Sequence, residues 1–206
     1  MDTHSSVKAL FLDRDGTIIK EVPPDERLDS KFGYVTRKEQ VELIEGSANA
    51  IANAKKAGFK IIIISNQSAI ARGWLTEEGL SEINDEMYKQ LKSADPDAIV
   101  DDFFFSPFHV DGVIEKYKKQ DPSRKPGIGM ILDAVKKHKI ELNRSFLVGD
   151  SVSDMKCAEN AGLKKILVLT GYGEFALQKC LDEGIKINFI ANKLTDAVDF
   201  INLQEY

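Results

Sequence analysis

A chain of 206 residues, 43% of them hydrophobic, carries enough apolar side chain for one sizeable core, and a single globular domain over residues 1–206 is expected. Its 28 Lys and Arg stand against 33 Asp and Glu, and the net charge of −5 disfavours nucleic acid and other long polyanions as partners. The longest apolar run, Ile61-Ile62-Ile63-Ile64, is far short of the roughly 20 residues a membrane span needs. Since Met1-Asp2-Thr3-His4 also lacks the charged-then-apolar build of a signal peptide, a cytoplasmic protein with no membrane partner is expected.

The first β-rich run, Val7 to Leu12, ends in Asp13-Arg14-Asp15-Gly16-Thr17. Strand side chains alternate, so carboxylates one residue apart start on one face, and the Gly16 turn that follows can bring both toward one metal and one phosphate. A stretch from about Lys20 to Gln40, with Pro23, Pro24, Gly33 and many charges, breaks the pattern and reads as a loop that shapes a pocket. The next strand, Phe59 to Ile64, runs into Ser65-Asn66-Gln67-Ser68. Leu80, Ile83, Met87 and Leu91 then follow at intervals of three, four and four, one face of a helix that Thr76 can cap, with Glu77 and Glu78 in its first turn.

A third strand is expected from Ile99 to Phe105, followed by a second irregular stretch, Ser106 to Pro126, that closes on Arg124-Lys125-Pro126. The helix after Pro126 carries Ile128, Ile131, Leu132 and Val135 and ends in Lys136-Lys137-His138-Lys139, which suits a helix C-terminus, with His138 read as a solvated terminal residue. Ser145 to Val148 leads into Gly149-Asp150-Ser151-Val152-Ser153-Asp154, and strands at Lys165 to Leu169 and Asn188 to Ala191 complete the alternation. Cys157 and Cys180 fall in helical stretches, match no zinc or redox spacing, and are read as packing residues. The class is α/β with a mostly parallel sheet, and neither irregular stretch is large enough for a separate lid domain.

Each polar cluster falls at the C-terminal end of an expected strand, where open parallel sheets place their ligand crevice. Together, from about residue 8 to residue 172, they resemble the haloacid dehalogenase superfamily of aspartate-nucleophile phosphatases. Gly33-Tyr34-Val35, the string Ser65-Asn66-Gln67-Ser68-Ala69-Ile70-Ala71-Arg72-Gly73, and Arg124-Lys125-Pro126-Gly127 leading into Gly129-Met130 are similar to the D-glycero-D-manno-heptose 1,7-bisphosphate phosphatases. The histidinol-phosphate phosphatases are similar in the same places. The resemblance implies a Rossmann-like core without a large cap.

It also implies roles. Asp13 is expected to attack phosphorus and become a transient aspartyl phosphate, and Asp15 to protonate the leaving oxygen and then take a proton from water. A carboxylate and a phosphate need a counter-charge between them, and hard oxygen ligands suit Mg²⁺, with Asp13, the main-chain carbonyl of Asp15, and Asp150 as expected ligands. Asp154 either holds Lys125 or a metal-bound water, or is an ordinary acid at a helix N-terminus. Ser65 and the backbone N–H groups after it are expected to bind the phosphoryl oxygens, and Lys125 to neutralise them. Asn66 and Gln67 would orient nucleophile or substrate. Arg72 and Arg124, whose planar forks suit phosphate and sugar oxygens, are the candidates for recognising substrate away from the reacting phosphate.

The chain departs from the family pattern in two respects. Many close relatives hold a structural zinc with three cysteines and a histidine in the loop before Arg-Lys-Pro; here Ser106, Phe108, Asp121 and Ser123 occupy those places, and His109 with Asp121 is too poor a set, so no structural zinc is expected. The segment Phe103 to Phe108 is expected to be fixed by aromatic packing instead. Ala69 stands where relatives usually have glycine, so its φ should be below zero or its turn strained. The expected activity is an Mg²⁺-dependent phosphomonoesterase acting on a small phosphorylated sugar or metabolite, with the C7 phosphate of a heptose bisphosphate as first choice. The rivals are a histidinol-phosphate phosphatase or another small-metabolite phosphatase and, from another class, a phospholigand-binding protein that has lost catalysis.

Overall fold

Isoleucines 61 to 64 alternate between the two faces of one strand, so burying all four demands cover on both sides, as a parallel sheet provides. The computed structural model describes residues 7–26, 28, 30 and 33–204. Strands β1 (Ala9–Leu12), β2 (Lys60–Asn66), β3 (Asp102–Ser106), β4 (Phe146–Gly149), β5 (Lys164–Val168) and β6 (Phe189–Ala191) form one parallel sheet in the order β3-β2-β1-β4-β5-β6. On one face Ile61 and Ile63 join Leu10, Leu12 and Val148 beneath helices α1 (Ser47–Lys56), α3 (Glu77–Ala94) and α7 (Leu194–Leu203). On the other, Ile62 and Ile64 join Phe11 and Leu147 against α4 (Gly129–His138) and α5 (Val152–Ala161). All four isoleucines are fully buried, and side chains of that size contribute about 1.5–3 kcal/mol each. A short α2 (Ser68–Ala71) follows β2, and α6 (Gly173–Asp182) packs beside α5 through Met155, Ala176 and Cys180. No described helix is long and apolar enough to cross a membrane.

The expected α3 is present, with Thr76 Oγ1 accepting from the Gly79 N–H at 3.0 Å and Leu80, Ile83, Met87 and Leu91 buried. Both cysteines are buried in helices, α5 and α6. The C-terminal helix α7 packs on the core through Leu194, Ala197, Val198 and Ile201, and Phe200 stacks on Phe189 at 4.1 Å between ring centroids.

Three expectations need correction. Leu132 is 51% exposed, because α4 turns Met130, Ile131 and Ala134 to the sheet instead. His138 is not a free solvated end: its Nε2 lies 2.7 Å from Asp102 Oδ2. The third strand begins at Asp102, three residues later than expected, since the chain is still turning at Ile99, whose N–H donates to the Asp97 carbonyl.

Two adjacent acids then anchor that strand to both helical layers. Asp101 accepts from Lys55 Nζ of α1 at 2.7 Å and from the Ile61 N–H of β2 at 2.7 Å. Asp102 meets Lys137 Nζ at 2.6 Å beside His138, both at the end of α4. Burial pushes each carboxyl up, but these partners outweigh it and hold both below the ordinary carboxylate value. A depressed folded-state pKa gives stability that is complete above the unfolded value near 3.9 and is lost as pH falls through the folded one. Denaturant titrations from pH 6 to pH 2 should therefore show Asp102→Asn less stable than the parent by about 1 kcal/mol at pH 6 and converging with it in acid. A constant gap down to pH 2 would contradict the assignment.

Candidate active site

The chain runs outward from β1 through β2 and β3, then returns to lay β4 on the other side of β1, so the strand order reverses between β1 and β4. Open parallel sheets bind ligands at such a reversal, beyond the carboxyl ends of the strands. Asp13 follows β1 directly and Asp150 follows β4, and the Asp13 N–H donates to the Val148 carbonyl at 3.0 Å. One carboxylate oxygen from each of Asp13, Asp150 and Asp154 lies within 4.8 Å of the others, and all three residues are buried.

A single ammonium is threaded through this acidic group. Lys125 Nζ stands 3.0 Å from Asp13 Oδ1 and 2.6 Å from Asp154 Oδ1, and donates to the Ile64 carbonyl at 3.0 Å. The Asn66 amide clamps the peptide of Lys125, accepting from its N–H at 2.9 Å and donating to its carbonyl at 3.0 Å. For Asp154 both expected readings hold at once: it binds Lys125, and its other oxygen accepts from the Ser151 N–H and hydroxyl to close a capping box on α5.

Asp15 stands outside the group of three. Arg14 grips it through Nε and Nη2 at 3.1 and 2.9 Å, while Gln67 Nε2 donates to it at 3.0 Å and to Ser65 Oγ at 2.8 Å. Arg14 is itself fully buried and is held from α3 by Asn84 Oδ1 at 3.1 Å. Asp13, Asp15, Ser65, Asn66, Gln67, Arg124, Lys125 and Asp150 all line one cavity of about 210 Å³. Arg72 does not: its guanidinium lies 5.4 Å from the Trp74 ring, which meets Tyr34, on the cavity wall, edge-on at 5.2 Å.

Burial, and next the charge of Asp154, push the Asp13 carboxyl up to about 7 against the opposing pull of Lys125. Burial and the charges of Asp13 and Asp154 likewise raise Asp150. Burial works against the charge on Lys125, but Asp13 and Asp154 outweigh it and hold its pKa above the ordinary lysine value. One ammonium among three buried carboxylates leaves the group short of positive charge, and an all-oxygen donor set is what a hard divalent cation takes, so these residues fit Mg²⁺.

The space for the Asp150 carboxylate is made by two glycines. At Gly16 (φ +75°) and Gly171 (φ +58°) a Cβ would stand 1.9 and 2.1 Å from Asp150 Oδ2. Sequence reasoning missed Gly171, along with Arg14, Glu21 and Tyr172. Tyr172 donates its N–H to Asp150 Oδ2 at 2.8 Å, and Glu21 and Tyr172 both line the cavity. Burial, then the charges of Asp15 and Asp13, raise the Glu21 carboxyl to about 8.

A protein from Chlorobaculum tepidum named D-glycero-D-manno-heptose-1,7-bisphosphate 7-phosphatase is 35% identical to this chain over 198 residues, 94% of this chain and 93% of its own length. This chain belongs to that phosphatase family. The Escherichia coli protein named D-glycero-beta-D-manno-heptose-1,7-bisphosphate 7-phosphatase is 37% identical over 81% of each chain. The family model described as HAD-hydrolase-like matches residues 122–197. The crystal structure of the D,D-heptose 1,7-bisphosphate phosphatase from B. bronchiseptica, complexed with magnesium and phosphate, superposes with a TM-score of 0.80 at 28% identity, covering 97% of this chain and 100% of the other.

The loop between β3 and α4 is closed at its base by hydrogen bonds. Where the resemblance places zinc ligands, Ser123 Oγ donates to Asp121 Oδ1 at 2.7 Å and lies 3.0 Å from Ser106 Oγ, while Lys119 pairs with Asp121 at 3.2 Å. Phe108 packs on Tyr117 with centroids 6.0 Å apart, so aromatic contact is part of the closure and the serine–aspartate hydrogen bonds are the other part. Ala69 lies in α2, and its φ is not positive. Gly171→Ala should displace the Asp150 carboxylate and weaken Mg²⁺ binding, read by calorimetry, by about tenfold or more. Unaltered Mg²⁺ affinity would remove Asp150 from the ligand set.

Proposed function

We propose that this chain is an Mg²⁺-dependent phosphomonoesterase that works through an aspartyl phosphate and removes the C7 phosphate of D-glycero-D-manno-heptose 1,7-bisphosphate. The observation that carries the reading is the Asp13 carboxylate at the floor of the cavity, 3.0 Å from Lys125 and next to Asp150. Mg²⁺ would be held by Asp13, Asp150 and the main-chain carbonyl of Asp15, and when bound supplies the counter-charge that lets a carboxylate approach a phosphate.

In the proposed cycle a carboxylate oxygen of Asp13 attacks phosphorus as the bond to the leaving oxygen breaks, and Asp15 delivers the proton that oxygen needs. Water then attacks the aspartyl phosphate, Asp15 takes its proton, and phosphate leaves with Asp13 restored. The Arg14 fork and Gln67 keep Asp15 in one place through both transfers. Ser65 receives the phosphoryl oxygens, Lys125 offsets their charge from beside Asp13, and Asn66 acts through Lys125 by fixing its peptide.

The substrate assignment is supported by Arg124 at the rim, with Arg72 behind it. Neither Arg72 nor Arg124 has a carboxylate partner among the described residues, and Arg124 Nη1 is occupied by the Phe108 carbonyl at 3.2 Å. Burial chiefly, with the like charge of Arg72 adding to it against Tyr34, pulls the Arg124 guanidinium below its ordinary value; burial and both arginines do the same to His109. A rim guanidinium with a second cation near it suits a dianion. A second cleft of about 750 Å³ shares Arg124 and Lys125 with the reaction cavity and includes His109 and Lys119, room for the far end of a bisphosphate that 210 Å³ does not hold. The partners in this reading are small phosphorylated sugars, not nucleic acid or membrane, and the place of action is the cytoplasm. It also includes no structural zinc: two serines, an aspartate and a phenylalanine offer neither the thiolates nor the imidazole such a site uses.

Phosphate release measured across heptose bisphosphate, histidinol phosphate and oligonucleotide ends should favour the first. A hundredfold preference for histidinol phosphate would overturn the substrate, and Asp13→Asn retaining more than about 10⁻³ of the parental turnover would overturn the nucleophile. Arg124→Ala should raise KM for the bisphosphate far more than for the corresponding monophosphate. Elemental analysis of the purified protein should find no stoichiometric zinc; one tightly held zinc per chain would refute the loop assignment.

A further inference from the structure

Glu21 is a half-buried acid on the wall of the reaction cavity that neither the metal nor the chemical steps use. It lies outside the three-carboxylate group, so it is not placed to share the cation. Arg14, the nearest candidate counter-ion, spends its fork on Asp15 and its third nitrogen on Asn84. Among the described residues Glu21 has no hydrogen-bond or ion-pair partner. Burial beside Asp15 and Asp13 makes this a costly place for a carboxylate, and nothing in the fold repays the cost.

With or without its proton, the Glu21 carboxyl group presents an oxygen acceptor to the cavity. Arg124 lines the same cavity, so the pocket is polar along its rim: an oxygen acceptor at Glu21, a donor-only group at Arg124. An ester entering with its phosphate on Asp13 therefore meets two different surroundings for its leaving group. We infer that Glu21 is a specificity-determining residue that accepts hydrogen bonds from hydroxyl groups on the carbon chain next to the scissile ester and turns any second phosphate toward Arg124.

This rests on the phosphatase reading above, and the test separates the two. Glu21→Gln and Glu21→Ala are compared with the parent on two substrates: the best hydroxylated sugar phosphate of the panel, and p-nitrophenyl phosphate, whose leaving group has no hydroxyl. Thermal melts of both variants verify folding. The expected result is a loss in kcat/KM on the sugar phosphate that exceeds the loss on the aryl phosphate by about tenfold to a hundredfold, carried mainly by KM. With a sugar bisphosphate, ³¹P spectra should also show one phosphate released by the parent and a mixture released by Glu21→Ala. Equal losses on both substrates would mean that Glu21 serves the chemistry or the fold, and no loss on either would mean that it is idle; each overturns the inference. Failure of the parent on every phosphate ester would instead overturn the phosphatase reading.

Discussion

Lys125 reaches from the loop before α4 across the ends of β1 and β2 and spends all three of its ammonium protons, on Asp13, Asp154 and the Ile64 carbonyl. With every donor assigned, the side chain has no freedom to rotate away, and the Asn66 clamp on its peptide removes freedom at the other end. Truncating it would leave two buried carboxylates facing each other without a counter-ion, a change that typically costs about 3–5 kcal/mol. The acids in turn are held by the sheet: Asp13 by the Val148 carbonyl, Asp154 by the Ser151 cap. The site is a closed electrostatic unit before any ligand arrives, and that rigidity lets a parallel sheet present reactive oxygen at a fixed place.

Around this unit, chemistry and recognition are divided between kinds of structure. Apart from Lys125, which reaches in from the loop before α4, the groups assigned to the reaction stand at or next to strand ends. Those assigned to the leaving group, Glu21 and Arg124, stand on the two long connections after β1 and β3. Loops tolerate substitution where strand ends do not, so a family can keep one reaction and change its substrate there. In this chain hydrogen bonds of 2.7–3.0 Å among Ser106, Asp121 and Ser123 join the base of a loop whose next residues are Arg124 and Lys125.

What the sequence revealed, and what it hid, follows from the range of each interaction. The positions of Asp13, Ser65 and Asp150 were legible because strand alternation and the C-terminal-end rule are local or topological, and the helical stripe from Leu80 to Leu91 needs only its own period. Gly171 was not, since its reason is the Asp150 side chain, 21 positions earlier in the chain, pressed against it. Arg14 has no role in the sequence reading, because the partner that sets its direction, Asn84, is 70 positions away. His138 read as a solvated end because Asp102, its partner, arrives from a different layer. Glu21 sits in a stretch with no period at all, so only the cavity it lines singles it out.

Charge completes the account of why this pocket asks for both a cation and a proton. Among the described residues five acids, Asp13, Asp15, Glu21, Asp150 and Asp154, meet only Arg14 and Lys125 at the floor of the site, with Arg124 at its rim. A divalent cation reduces that excess without abolishing it, and a phosphate dianion entering such a place would still be opposed unless at least one acid carried a proton. The proton needed by the leaving oxygen is thus favoured by the same crowding that makes the cation necessary. Turnover and binding are coupled through one shortage of positive charge, which the sheet creates by bringing the ends of β1 and β4 together.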